Sequence, residues 1–326
     1  VYLANRIILK VKISGFTFVR NAITLDFPLK ESVLSILPLV DEYVIAYSPG
    51  NTDDGTLDLI KSIGSEKIKV VEAKWEPEKF YRNTLYAHLT DIAKANCSGD
   101  WLFYLQGDEA VHESSLSVIK KACLEYLVKD EIEGLLFEYR HFWGDYAHCF
   151  THHGWYPREI RIIRNKPEIH SWRDAQSFRI IYNFKSTAED YLKKTDTRKL
   201  RVVAIPVYIY HYGWVRNPTK MREKQNRMID TFNPKMDKIQ EHAIDYGPLN
   251  NVPKFKGQHP KVMTERIKRL NWQDSLQKAG KPNPNRPKYK HEKIKYRLRT
   301  WLEINLLGGN EIGGFKNYTL VEKWRP

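Results

Sequence analysis

Between residues 12 and 143, short apolar runs alternate with stretches of helical periodicity, and this alternation limits the fold more than any other feature. "KISGFTFV" (12–19), "EYVIAYS" (42–48), "KIKVVEA" (67–73) and "DWLFYLQ" (100–106) read as buried strands, followed by "EGLLFEYRHFW" (133–143). The segments between them, 28–40, 52–64, 81–95 and 113–128, read as helices; in the last, Leu116, Ile119, Cys123 and Leu127 share one stripe. Pro28 suits a first helical turn, and Asp53 and Asp54 place negative charge at a helix N-terminus. Strands alternating with helices of this length predict an α/β fold: a mostly parallel central sheet with helices on both faces. In such sheets ligands bind beyond the carboxyl ends of the strands.

The fourth strand ends abruptly in acid, "YLQGDEAVHE" (104–113). Asp108 and Glu109 beside Gly107 can meet a hard divalent cation, Mg²⁺ or Mn²⁺, through oxygen. The competing reading is that Asp108 caps the helix beginning near residue 113 or sits in a turn. A further strand, 199–215, ends in "YIYHYGW", where His211 either points into the same crevice or is a packed histidine. "REIRIIRN" sets Arg158, Arg161 and Arg164 three apart. On a strand Arg158 and Arg164 share a face and Arg161 takes the other, so the three cannot serve one phosphate.

No run of 18 apolar residues occurs, so no membrane-spanning helix is expected, and the interrupted apolar start (Arg6, Lys10, Lys12) does not suit a signal peptide. The three cysteines are scattered, which points to a reducing compartment and a cytoplasmic location, with the inner membrane surface as a peripheral site. The net charge of +14 suggests nucleic acid at first sight. Its distribution speaks against that: residues 251–326 hold 18 Lys or Arg against 6 Asp or Glu, leaving 35 against 33 in the first 250.

Eight stretches in order, "ISGFTFVRNA" (13–22), "LPLVDEYVIA" (37–46), "DDGTLDLI" (53–60), "SGDWLFYLQGDEAVHE" (98–113), "EGLLFEYRHFWGDY" (133–146), "WYPREIRIIRN" (155–165), "HSWRDAQSFR" (170–179) and "IYHYGWVR" (209–216), give the chain a family likeness. It resembles family-2-like glycosyltransferases with the GT-A fold, in a bacterial-type subgroup. The resemblance implies a hexosyltransferase-type enzyme with a nucleotide-sugar donor, a metal-bound diphosphate and an unidentified saccharide or lipid-linked acceptor, with inversion expected. By position "QGDE" replaces the Asp-x-Asp motif. Asp108 then becomes the direct metal ligand, His211 the distal one, and Gln106 a ribose contact, since an amide binds a hydroxyl better than a cation. The same positions imply donor contacts from Phe16, Thr17, Arg20, Asp54, Arg82 and Arg161. For Asp54 helix capping competes with base recognition. Asp174 in "SWRDAQ" is the implied general base, with Glu138 and Asp145 as competitors. Gln106 also leaves open a non-catalytic pseudo-transferase, and the basic charge leaves a nucleic-acid binder as the third, disfavoured class.

The expected division is a transferase domain, 1–245, and a basic Pro- and Lys-rich linker with a helical extension, 246–326. In "RPKYKHEKIKYRLRTWLEINLL" (286–307), Ile294, Leu298, Trp301 and Leu302 recur on one helical face with Lys293, Lys295, Arg297 and Arg299 beside it. Such a helix either docks on an anionic membrane surface or a partner, or packs its stripe on the domain with its charges merely solvated.

Overall fold

The computed structural model describes residues 10–150, 154–232, 235–307, 312–313 and 315–326. The chain order is β1 (Ile13–Val19), α1 (Leu29–Ile36), β2 (Glu42–Tyr47), α2 (Thr56–Lys61), β3 (Ile68–Glu72), α3 (Thr84–Ala95), β4 (Trp101–Tyr104), β5 (Glu109–Val111), α4 (Leu116–Glu125), β6 (Gly134–Trp143) and β7 (Cys149–Phe150). It continues with β8 (Arg158–Arg164), β9 (Ile169–Trp172), β10 (Asp174–Ile181), α5 (Ala188–Leu192), β11 (Thr197–Trp214), α6 (Pro218–Phe232), α7 (Thr264–Lys268), α8 (Ile294–Asn305) and β12 (Tyr318–Lys323).

The sheet runs β3-β2-β1-β4-β8-β6-β11-β10-β9. β3, β2, β1 and β4 are parallel neighbours, β8 enters antiparallel between β4 and β6, and β6 and β11 run parallel again. One face is covered by α1, α2 and α4 through Leu29, Val33, Ile36, Ile60, Ile119 and Cys123. The other is covered by α3 and α5 through Leu85, Leu89, Ala93, Ala188 and Tyr191. The expected α/β fold, mostly parallel in its core with helices around it, is therefore present. β5, β9, β10 and β12 are short or irregular and lack the periodic signal of the longer strands.

β5 matters beyond its length. It pairs antiparallel with β11, setting Glu109 opposite His211, and the Tyr212 N–H donates to the Asp108 carbonyl at 2.8 Å. Backbone ladders thus bring two distant sequence motifs together. β11 can serve several partners because it is 18 residues long and breaks register between Ala204 and Tyr208, around Pro206. Proline has no N–H for a ladder and is tolerated at such an irregularity.

β8 carries a bulge. Leu135 pairs with Ile162 but Leu136 pairs with Ile160, so Arg161 is the extra residue and its side chain is re-aimed. It lies fully buried and forks onto Glu109, Nε to Oε2 at 2.9 Å and Nη2 to Oε1 at 2.8 Å. Arg161 therefore does not take the donor-binding position that the resemblance implied, and Glu109 turns inward and spends both oxygens on that guanidinium. Arg164 is also buried, donating to the carbonyls of Ile132 and Leu127 at 2.9 Å.

Two parts of the chain beyond residue 245 pack on the body. Tyr246, Leu249, Val252 and Leu276 pack with Trp143, whose indole N–H donates to the Tyr246 carbonyl, and β12 pairs parallel with β11. The stretch expected as a linker is a strap, held because it covers aromatic ends of β6 and β11. Among the described residues no helix is long and apolar enough to cross a membrane.

Removing one half of a buried ion pair strands the other charge. Glu109→Ala is expected to lower stability by about 3–5 kcal/mol, measured by urea denaturation, while Glu109→Leu combined with Arg161→Met recovers part of the loss.

Candidate active site

A cavity of about 750 Å³ opens at the carboxyl ends of β1, β2 and β4. Phe18 to Asn21 from β1 and its loop, Asn51 and Thr52 after β2, Gln106 to Asp108 after β4, His211 and Gly213 at the end of β11, and Lys224 on α6 all line it. α6 begins cleanly: Asn217 Oδ1 accepts from Thr219 N at 3.0 Å and Pro218 opens the first turn. That start aims Lys224 back at the strand ends.

Asp108 is nearly buried, and its two carboxylate oxygens face different groups. Oδ2 meets Lys224 Nζ at 3.3 Å and Arg216 Nη2 at 3.8 Å; Oδ1 faces His211 Nε2 at 3.8 Å. Burial alone would raise the Asp108 pKa, but Lys224, His211 and Arg216 outweigh it and hold the group down to about 2. Lys224 is brought down to about 8 by burial and by Arg216. Burial lowers the His211 pKa as well, so its ring is neutral.

The proton positions around His211 follow from its neighbours. His141 Nε2 lies 2.8 Å from the Tyr156 carbonyl, which can only accept, so Nε2 carries the proton. In a neutral His141 ring Nδ1 is then an acceptor, 2.9 Å from His211 Nδ1, which donates. His211 Nε2 is left as a lone pair facing the anionic Asp108 Oδ1. Two acceptors confronting each other at 3.8 Å are reconciled by a cation. A Cβ at Gly213 would fall 2.5 Å from His211 Nε2 and 3.2 Å from Asp108 Oδ2, so only glycine keeps that space open. The pair therefore fits a divalent cation whose remaining ligands come from substrate and water. Among the described residues no group of three or more His, Cys, Asp or Glu forms a closed metal cage.

The other expected site residues are dispersed. Gln106 lines the cavity, its amide donating to the Ala175 carbonyl at 2.9 Å. Arg20 lines it too, donating to Asn51 Oδ1 at 2.9 Å and lying 4.6 Å from the Trp75 ring centre. Phe16 and Thr17 do not line it: β1 continues to Val19, so they stay in the sheet, with Phe16 packed on Tyr104 and Phe178. Asp54 accepts from Thr56 N at 3.1 Å and Thr24 N at 3.0 Å, tying the start of α2 to the loop after β1, outside the cavity lining. Arg82 is an exposed turn residue just before α3, likewise outside it.

Asp174 opens β10 and accepts from Gln176 N at 2.8 Å; the next residue, Ala175, lines the cavity. Burial raises its pKa. Glu138 pairs with Arg158 at 3.5 Å, and Asp145 accepts from Ala147 N and His148, so both competitors hold loops and strands.

Sequence reading gave no role to Lys224, Arg216, Gly213 or Glu159. Lys224 sits in a helix whose polar composition looks solvated, and no local pattern marks it. Glu159 Oε1 accepts from Gln176 at 2.9 Å, Oε2 has no hydrogen-bond partner, and burial drives its pKa up to about 8, with Asp174 adding to the rise.

No protein-family model and no curated protein matches the chain. Among solved structures, TarS of S. aureus is 13% identical over 71% of this chain and 41% of its own, with a TM-score of 0.36. Glucosyl-3-phosphoglycerate synthase from Mycobacterium tuberculosis, in complex with Mn²⁺, UDP and phosphoglyceric acid, is 22% identical over 40% of this chain and 43% of its own, TM-score 0.28. The mannosyltransferase PcManGT from Pyrobaculum calidifontis, in complex with GDP-Man and Mn²⁺, is 13% identical over 39% and 35%, TM-score 0.29. The chain thus spans less than half the length of each, and scores of this size do not establish a shared fold.

Two outcomes are expected. Gly213→Ala should weaken Mn²⁺ binding at least tenfold, read by calorimetric titration, through the crowding of His211 Nε2. Glu159 keeps its proton in the folded protein between its ordinary 4.5 and about 8, where the unfolded chain releases it, so it makes stability fall as pH rises through that window. Glu159→Gln should flatten that fall in thermal midpoints measured from pH 5 to pH 8.

Proposed function

We propose that the chain is a glycosyltransferase that moves a sugar from a nucleotide-sugar donor to an acceptor hydroxyl with inversion. The observation that carries this reading is the confrontation of Asp108 Oδ1 and His211 Nε2 on the floor of the cavity, with Lys224 on the other Asp108 oxygen. It agrees with the ordered resemblance along residues 13–216. Asp108 and His211 would hold Mn²⁺ or Mg²⁺, which when bound offsets charge on a departing diphosphate. Lys224 adds a fixed positive charge at the same end. Arg216 Nη2, buried without a hydrogen-bond partner, adds another. Such charges stabilise a leaving phosphate most where water is excluded. At the far end Arg20, Trp75 and Tyr86 offer charge and aromatic faces that suit a nucleotide.

In this reading the acceptor oxygen attacks the anomeric carbon while the carbon–oxygen bond to the diphosphate breaks. The hydroxyl proton passes to Asp174, whose raised pKa makes it a stronger base than an ordinary carboxylate. The acceptor is a saccharide or a lipid-linked saccharide. The cytoplasm, or its face of the inner membrane, is the proposed setting.

Thermal-shift screening against UDP- and GDP-sugars, with and without Mn²⁺, tests the reading. A ligand at about 100 times its dissociation constant stabilises by about 2.7 kcal/mol, and a shift with no nucleotide sugar would overturn it. Donor binding without hydrolysis or transfer would instead favour a non-catalytic donor-binding protein. Asp174→Asn is expected to cut turnover by about 10²–10⁴-fold with donor binding nearly intact; near-normal turnover would move the base elsewhere, with Glu159→Gln the next variant to assay.

A further inference from the structure

The helix α8 is turned inside out. Of the apolar stripe Ile294, Leu298, Trp301 and Leu302, the first three are 81%, 58% and 54% exposed and Leu302 is half-buried. The opposite stripe, Tyr296, Thr300 and Glu303, is the more covered one: Glu303 is buried and accepts from Ile312 N at 2.8 Å, and the other two are half-buried. An ordinary surface helix does the reverse, burying its apolar stripe against the core. The alternative left open by the sequence, that this stripe packs on the domain, is thus not what Ile294, Leu298 and Trp301 do. Four cations flank the exposed stripe. Lys295 and Arg299 lie along one side and Lys293 and Arg297 along the other, all exposed, and no acidic side chain shares that outer face. The helix is anchored from its N-terminal side by Glu292, which is buried and bound by Arg286 at 2.6 and 2.8 Å.

We propose that α8 is a docking surface for an anionic lipid bilayer, on which Ile294, Leu298 and Trp301 enter the boundary between headgroups and acyl chains while Lys293, Lys295, Arg297 and Arg299 meet lipid phosphates. The charge pattern selects this occupant. Apolar side chains rimmed on both sides by cations match an interface that is apolar within and negatively charged at its surface. A helix this short, with so many cations, lies on such a surface and does not span it. The inference does not rest on the reading of the cavity, which lies on other elements.

Flotation of the full chain with phosphatidylcholine vesicles, with and without about a third phosphatidylglycerol, tests it. The intact protein should float with the anionic vesicles at low salt, weakly with the neutral ones, and lose binding at high salt as the charges are screened. Ile294→Ser, Leu298→Ser and Trp301→Ser together should reduce the partition coefficient at least tenfold. Lys293→Gln, Lys295→Gln, Arg297→Gln and Arg299→Gln together should reduce it further, by about fivefold per charge at low salt. All seven positions are exposed, so thermal midpoints should hold; if the apolar variant misfolds, the charge variant decides alone. Failure of the intact protein to float on anionic vesicles, or equal flotation of both variants, would overturn the proposal. So would self-association in sedimentation that the apolar variant abolishes without any lipid binding, which would give the face to a second copy of the chain.

Discussion

A buried ion pair organises this molecule. Glu109 takes both guanidinium contacts of Arg161, the hydroxyl of Tyr139 at 2.7 Å and the backbone N–H of Gln106 at 3.1 Å. A fully desolvated carboxylate persists only when its oxygens are occupied in this way. The consequence is geometric: with Glu109 held from β8 and β6, the turn Gln106–Asp108 has one position, and β5 can pair with β11. The residue beside the site's acid is thus structural, and its fixation is what lets Asp108 be placed.

The site itself is a set of mismatched charges. Asp108 is held strongly acidic by cations on one oxygen, while its other oxygen faces a histidine lone pair whose direction is dictated through His141 by the Tyr156 carbonyl. Each contact is individually ordinary. Together they leave a gap between two acceptors that suits a positive ion, with Gly213 keeping the gap clear and Lys224 supplying charge nearby. Glu159 and Asp174, both pushed toward neutrality by burial, form a second acidic region beside Gln176.

The last quarter of the chain divides by what each part covers. Residues around Tyr246 to Leu276 shield the aromatic ends of the sheet, and β12 extends the sheet along β11. Between them α8 faces the other way, apolar side outward. The excess of basic residues in this region therefore does two jobs: some cations are consumed internally, as Arg286 is by Asp245 and Glu292, and others line an exposed face.

The sequence by itself determined the α/β alternation, the strand ends at which the acid and the histidine lie, and the confinement of charge to the C-terminal quarter. Those features are local: period, turn chemistry and composition are written within a few residues of where they act. Only the tertiary structure decided that Arg161 is internal, because a one-residue bulge in β8 overrides the alternation that its spacing implied. It also decided that Phe16 packs on Tyr104 and Phe178 instead of lining the cavity, and that Lys224 meets Asp108 from 116 residues away. The amphipathic pattern of α8 was legible, but its outward orientation was not. A stripe of apolar residues states that a face will be covered, whereas which surface covers it depends on what the rest of the fold leaves available.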